Sequence, residues 1–330
     1  MLKPYTLLEN VLLEIENGVR DGISINTLAD QFSLSSVHLS RIFKDIFNHP
    51  LGGYIRSRKL ASSLDELIKT NANIIDIALD YDFMYEQTYI RSFKREFGIT
   101  PGEFRKNMEM IKVKPPYHII NSNRIVNLDG YRYEAYKDND AGDNAMALTE
   151  GACFKCKWNK TGDAIFRSGK SFDETKTHAQ FGSIKMDYSI GFNSETVPFL
   201  GVYGWFADPL VEFFIIENWS SCDLEDKIYK ATVNIDGDRY LIFEQTRVNW
   251  PSIKGIQTFK EYYSVRSDKR NKGIIYMSKH FDALERIGMK LGKIIEISIA
   301  IEGWHSSGEG DVYRNLLTIG DNTMGSTCLR

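Results

Sequence analysis

Hydrophobic periodicity changes once along this 330-residue chain, and no single regular architecture accommodates both patterns. Up to about residue 110, apolar residues recur at spacings of three and four, as in Leu7, Leu8, Val11, Leu12 and Ile15, and again in Leu39, Ile42, Phe43 and Ile46. That is the stripe of an amphipathic helix. From about 131 the runs FLGVYGW, PLVEFFIIENW, RYLIFEQTRV and EISIAIEGW are short, rich in β-branched and aromatic residues, and alternating. These read as strands, and all five tryptophans lie among or near them. Residues 111–130 carry Pro115 and Pro116 and show no helical period, so a linker is expected there. The expectation is a multidomain chain: an all-α domain at 1–110, the linker, and an all-β domain at 131–330, in keeping with about 150 residues per domain.

No run of about 18 apolar residues occurs, so neither a transmembrane helix nor a membrane partner is expected. Glu9, Glu14 and Glu16 break up the apolar residues of the N-terminus, which reads as an amphipathic helix rather than a secretion signal. Four cysteines are too few for a disulfide scaffold in a chain this long, and reduced thiols in the cytoplasm are expected. Cys153 and Cys156 form CFKC, yet no second such pair or histidine spacing completes a metal site, and there is no Gly-rich phosphate loop. No metal and no cofactor are expected. The net charge of −3 excludes a uniformly basic surface but not a local basic face.

The helical half repeats itself: RIFKDIF at 41–47 and RSFKREF at 91–97 match at a spacing of 50 residues, each after a short helix and a turn. This predicts a double helix-turn-helix. The residues before each buried Phe form an exposed face, Val37, Ser40 and Arg41 in one helix and Gln87, Thr88 and Arg91 in the other, from which side chains reach base edges. Arg56, Arg58, Lys59, Lys94, Arg95 and Lys106 are candidates for phosphate contacts. Simple packing of two helical pairs with solvated charges is the alternative, and residues 1–112 sum to only about −1. LSRIFK, GGYIRSRKL and YIRSFKREFGITPGEFR resemble the DNA-binding domain of the AraC/XylS family of transcription regulators. The resemblance implies a long helix over about 51–69 between two recognition helices in successive major grooves of double-stranded DNA, with Arg56 and Ser57 at phosphate-contacting positions.

In EISIAIEGW, Glu296, Ser298, Ala300, Glu302 and Trp304 share one strand face, while Ile297, Ile299 and Ile301, with Ile295 just before, are expected on the other. Glu212 lies likewise between Leu210 and Phe214, and Tyr203 shares a face with Trp205. A carboxylate in an apolar strand is costly unless it faces water or a partner, so the pattern predicts a cleft with paired carboxylates, or merely a solvated sheet face. The segments GVYGWFADPLVEFFIIENW, TRVNWPSIKGIQTFKEYYSVRSDKR, HFDALERIGMKLG and AIEGWHSSG occur in the order found in glycoside hydrolase family 11, the β-jelly-roll endo-1,4-β-xylanases, which this half resembles. The resemblance implies Glu212 as nucleophile and Glu302 as general acid/base of a retaining mechanism, with carboxyls about 5 to 5.5 Å apart. It also implies Tyr203, Trp205, Arg247, Pro251, Tyr136, Asp163, Tyr263 and Trp304 as substrate-binding residues, with Ser252 and Ile253 at a thumb tip.

Departures surround the chemistry: Phe214, Glu261 and Glu296 stand where the family has Tyr, Gln and Tyr, and Tyr136 where it has a sugar-stacking Trp. Two extra carboxylates are expected to make ionising the Glu212/Glu302 pair harder. The expected function is a sequence-specific transcription regulator whose second domain binds xylo-oligosaccharide or xylan, with hydrolysis of β-1,4-xylosidic bonds left open. An active xylanase with a DNA-binding appendage, or a vestigial cleft serving self-association as a homodimer, are the alternatives.

Overall fold

The computed structural model describes residues 3–328 other than 108–110, 139–140, 150, 195, 197–198, 220–223 and 225. The chain divides into a helical unit, Lys3–Ile119, and a β-rich unit beginning at Ile120. The helices are α1 (Lys3–Gly18), α2 (Ile25–Gln31), α3 (Ser36–Phe47), α4 (Leu51–Lys69), α5 (Ile74–Asp80), α6 (Glu86–Phe97) and α7 (Pro101–Asn107). The repeat read from the sequence is the pairs α2–α3 and α5–α6, flanking α4 in chain order. It extends to the helix ends, because α3 and α6 stop on Asn48 and Gly98, both left-handed and again 50 apart. Ser24 and Ser35 cap α2 and α3 by accepting hydrogen bonds from the Thr27 and His38 backbone N–H groups. Phe43 and Phe93, equivalent in the repeat, are fully buried.

Two of the basic residues expected to hold phosphates are structural instead. Arg58 makes a bidentate pair with Glu16 on α1 at 2.7 and 2.8 Å, and buried Lys59 donates to Asp82 at 2.9 Å. Charge on a long helix does not reveal which face another helix will cover.

The expected linker needs correction. Beyond α7 the chain returns to the first helix-turn-helix: the Lys114 carbonyl accepts from Arg58 at 3.1 Å, and the Tyr117 backbone N–H donates to the Tyr54 hydroxyl at 3.2 Å. The buried Tyr117 ring stacks on Tyr54 and Phe47 with centroids 4.6 and 4.8 Å apart. Strands β1 (His118–Ile120) and β2 (Arg124–Leu128) then occupy the rest of the segment. Three- and five-residue strands are too short for alternation to stand out, but a turn signal was present. Asp129 and Gly130 both have positive φ and close a two-residue hairpin to β3 (Tyr131–Lys137), as Asp-Gly pairs do.

The remaining strands are β4 (Asp143–Leu148), β5 (Phe154–Ser171), β6 (Ile184–Ser194), β7 (Phe199–Ala207), β8 (Val211–Asn218), β9 (Ile228–Ile235), β10 (Asp238–Ser252), β11 (Gly255–Arg266), β12 (Lys272–Ile275), β13 (Lys293–Ile319) and β14 (Asn322–Thr327). The long strands β5 and β13 run through both layers of a jelly roll. Residues 293–302 of β13 pair with β7, and 308–319 with β6. One layer is thus β2-β3-β5-β13-β7-β8-β11-β10-β9, and the other joins β1 to β4 and β4 to β5, β6 and β14 to β13, and β12 to β6. Alternation sorts most side chains as expected: Leu200, Val202, Phe213, Ile215, Ile297, Ile299 and Ile301 enter the main core, but Ile295, expected with them, joins the opposite cluster, where the β13–β7 register shifts between Ile294 and Glu296. Tyr203, Trp205, Phe214, Tyr263 and Ala300 form a second cluster on the opposite face of the larger layer. Helices α8 (His178–Phe181) and α9 (Met277–Arg286) complete the unit, with Phe281 of α9 packing on Phe206 and Phe213 at 5.1 Å. No helix among the described residues is long and apolar enough to cross a membrane.

Replacing Tyr117 by Ala should therefore destabilise the helical unit by about 3 kcal/mol, the scale for emptying an aromatic socket. Urea denaturation of the full chain followed by helical circular dichroism measures it, and an unchanged transition would contradict this packing.

Candidate functional site

The second aromatic cluster covers the face of the larger layer that the strand pattern predicts as a cleft. On β7 the Trp205 indole donates to the Tyr203 hydroxyl at 2.6 Å, and that hydroxyl donates to Glu212 Oε1 on β8, also at 2.6 Å. Trp205 is buried, so it fixes Tyr203 rather than offering an open ring to a sugar. Three strands from Glu212 along the layer, in the order β8, β7, β13, β5, lies Asp163, paired in register with Trp304. On β13 the half-exposed Trp304 donates its indole N–H to Glu302 Oε1 at 2.7 Å.

Glu212 and Glu302 are only 9% and 7% exposed. Burial first, then the nearby Glu261 charge, pushes the Glu212 carboxyl well above its usual range, against the pull of the Tyr203 hydroxyl. Burial and then Asp163 do the same to Glu302, opposed by the Trp304 indole. Asp163 is itself raised to about 7, by burial and then by Asp138. Tyr136, half-buried on β3, lies near enough to Asp163 to feel its charge.

The two extra carboxylates behave differently from one another, which corrects the expectation that both press on the pair. Glu296 is fully buried, accepts from Ser298 at 2.6 Å, and is ion-paired with Arg132 and Arg167 at 3.3 and 3.4 Å. The same guanidiniums pair with Glu134 at 2.5 and 2.6 Å and, against the upward pull of burial, hold its carboxyl below the ordinary range. This quartet is compensated within itself, and Arg167 lies 4.3 Å over the Tyr203 ring. The sequence reading passed over Arg167, although an Arg within the apolar run AIFRSG was the available signal. Glu261, by contrast, stands beside Glu212 in the parallel β8–β11 pairing and accepts from Arg247 at 2.8 Å and Tyr263 at 2.7 Å. Phe214 stacks flat on Tyr263 with centroids 4.7 Å apart.

The β10–β11 hairpin ends at 251–255, with exposed Pro251 and half-buried Ser252 and Ile253 at its tip. Lys254 there pairs with Glu174 at 2.6 Å. A register shift between Arg247 and Trp250, with Asn249 at positive φ, breaks the alternation. Trp250, which the sequence reading did not single out, thereby lies over the Arg247 guanidinium at 5.3 Å.

A family described as glycosyl hydrolases family 11 matches residues 128–313, more than half of the chain. The chain belongs to glycosyl hydrolase family 11. A helix-turn-helix domain of AraC type matches residues 28–107. The family 11 part is 42% identical over 216 residues to endo-1,4-beta-xylanase A of Bacillus pumilus, covering 65% of this chain and 93% of that protein. It is also 42% identical over 207 residues to a bifunctional xylanase/deacetylase of Pseudobutyrivibrio xylanivorans, covering 63% of this chain but 34% of that longer protein. The chain thus spans about a third of the length of that relative. Among solved structures, the family 11 xylanase of Neocallimastix patriciarum matches with a TM-score of 0.57 and 32% identity, covering 62% of this chain and all of that one.

On the helical unit, Val37 and Arg41 of α3, and Gln87, Thr88 and Arg91 of α6, are exposed, with Ser40 half-buried. Arg41 lies against His38 at 3.1 Å, and Arg91 donates to the Gln87 carbonyl at 3.2 Å. Arg56 is exposed on α4, whereas the Ser57 hydroxyl donates to Glu96 at 2.7 Å and is already occupied.

The raised Asp163 value fixes a sign. The folded domain keeps a proton that the unfolded chain releases at an ordinary carboxylate value near 4, so stability falls as pH rises from about 4 to about 7. Asn does not titrate; the melting temperature of Asp163→Asn relative to wild type should therefore climb between pH 4 and pH 8. Calorimetry across that range tests it, and a constant difference would contradict it.

Proposed function

We propose that this protein is a sequence-specific transcription regulator whose family 11 domain binds xylo-oligosaccharides and cleaves their β-1,4-xylosidic bonds with retention of configuration. The observation that carries this reading is the pair Glu212 and Glu302 on one sheet face, Glu212 accepting from the Tyr203 hydroxyl and Glu302 from the Trp304 indole. Such a pair divides the labour of a double displacement. Glu302, whose proton is retained by burial and by Asp163, protonates the departing glycosidic oxygen. Glu212, oriented by Tyr203, attacks the anomeric carbon; Glu302, now ionised, then takes a proton from the water that releases the sugar.

The DNA half supports the regulatory part of the reading through two exposed helix faces repeated at a spacing of 50 residues. For the sugar to act as a signal it must bind one arrangement of the protein more tightly than another. Phe214 favours a second reading, a cleft that binds sugar without cutting it, because a hydroxyl is missing beside Glu212 and Tyr263.

Two measurements separate these readings. Wild-type protein should release reducing sugar from soluble xylan and Glu212→Gln should not; equal rates would remove the hydrolytic claim. Titration of operator DNA should give a different affinity with and without xylohexaose, and if it does not the sensing claim falls. In the same assay Arg41→Ala and Arg91→Ala should each relax specificity at one base position by about 1 to 3 kcal/mol, whereas Arg56→Ala should weaken all sequences alike.

A further inference from the structure

Glu261 enters the cleft through strand pairing. The parallel register of β8 and β11 sets its Cα opposite that of Glu212, and both side chains lie on the cleft face. Glu261 is 3% exposed, and two donors hold it: the Arg247 guanidinium at 2.8 Å and the Tyr263 hydroxyl at 2.7 Å. Glu212 is held by a neutral hydroxyl, that of Tyr203. The other nearby guanidinium, Arg167, stacks on the Tyr203 ring, but its N–H groups point to Glu134 and Glu296. The one cation bonded to this carboxyl pair among the described residues therefore sits on Glu261. Glu212 must ionise next to an anion that is already fixed.

Turnover moves that charge. In the first step a Glu212 oxygen forms a bond to the anomeric carbon, and the bond to the leaving oxygen breaks as that oxygen takes the Glu302 proton. The negative charge passes from Glu212 to Glu302, which stands on β13, separated from β11 by β7 and β8. Repulsion with Glu261 is relieved. In the second step water gives a proton to Glu302 and its oxygen bonds to the anomeric carbon. The ester bond to Glu212 breaks with its electron pair returning to the carboxylate, and the adjacent anions are restored. A like charge in a poorly solvated site thus favours the first step and opposes the second.

We propose that Glu261 is a positioning residue that favours the covalent glycosyl-enzyme over the free site, so that the domain keeps a xylosyl group esterified to Glu212 longer than the same site with a neutral side chain at 261. The proposal rests on the hydrolytic reading above. It gives a sugar-responsive regulator a liganded state whose lifetime is set by chemistry rather than by dissociation alone.

The test uses the full chain as wild type, Glu261→Gln and Glu261→Asp, with a dinitrophenyl 2-deoxy-2-fluoro-xylobioside as the probe. Dinitrophenolate release and intact mass follow ester formation; after removal of excess reagent, recovery of the unmodified mass gives the reactivation rate. All three proteins should form the adduct. Glu261→Gln should reactivate at least about tenfold faster than wild type, a difference of about 1.4 kcal/mol, while Glu261→Asp, which keeps the charge, should stay slow. Equal rates for wild type and Glu261→Gln would overturn the proposal, and so would an adduct in wild type but not in Glu261→Gln, since Glu261 would then be needed to make the ester rather than to keep it. No adduct in any of the three overturns the hydrolytic reading instead.

Discussion

Strand β13 carries isoleucines 297, 299 and 301 into the main core and Glu296, Ser298 and Glu302 into the cleft, in strict alternation. Because side chains alternate with a period of two, a register slip of one residue against β5 or β7 would drive carboxyls into the core and isoleucines into the cleft. Few sequence alternatives are so heavily penalised. The same strand pairs with β5, β7, β6 and β14, so fixing its register fixes both layers of the jelly roll, and with them the separation of Glu302 from Glu212 two strands away.

Burying carboxyls on one sheet face has two physical solutions, and this cleft uses both. Glu134 and Glu296 are neutralised by Arg132 and Arg167, a quartet that underpins Tyr203 and has no free charge to lend to chemistry. Glu212, Glu302 and Asp163 have no such compensation and hold their protons more tightly. The first arrangement gives rigidity and the second gives proton-transfer capability; they sit side by side because Tyr203 touches both, through its ring to Arg167 and through its hydroxyl to Glu212.

Much of this was legible in the amino-acid sequence. The repeat at a spacing of 50 residues showed the two helical pairs; that they also share left-handed ends, at Asn48 and Gly98, emerged only from the structure, although capping chemistry travels with a repeated sequence. Alternation sorted core from cleft along β7, β8 and β13, since a strand has only two faces. Pairing partners across the sheet were not legible: that Glu296 meets two arginines while Glu261 meets Glu212 depends on β3, β5 and β11, which lie far apart in sequence. Arg58 and Lys59 were misjudged for the same reason, their partners being 42 residues upstream and 23 downstream. Trp250 escaped because a bulge reverses the face that alternation assigns to it.

The packing of Tyr117 bears on how the protein is taken apart. Helical periodicity ends near residue 110, and an excision made there would look safe on sequence grounds. It would strip the stacked ring from Tyr54 and Phe47, and the hydrogen bond that the Lys114 carbonyl accepts from Arg58, leaving an open aromatic socket on the first helix-turn-helix. Fragments that end at 119 keep that socket filled, so a comparison of isolated and intact DNA-binding halves is meaningful only when these last residues travel with the helices.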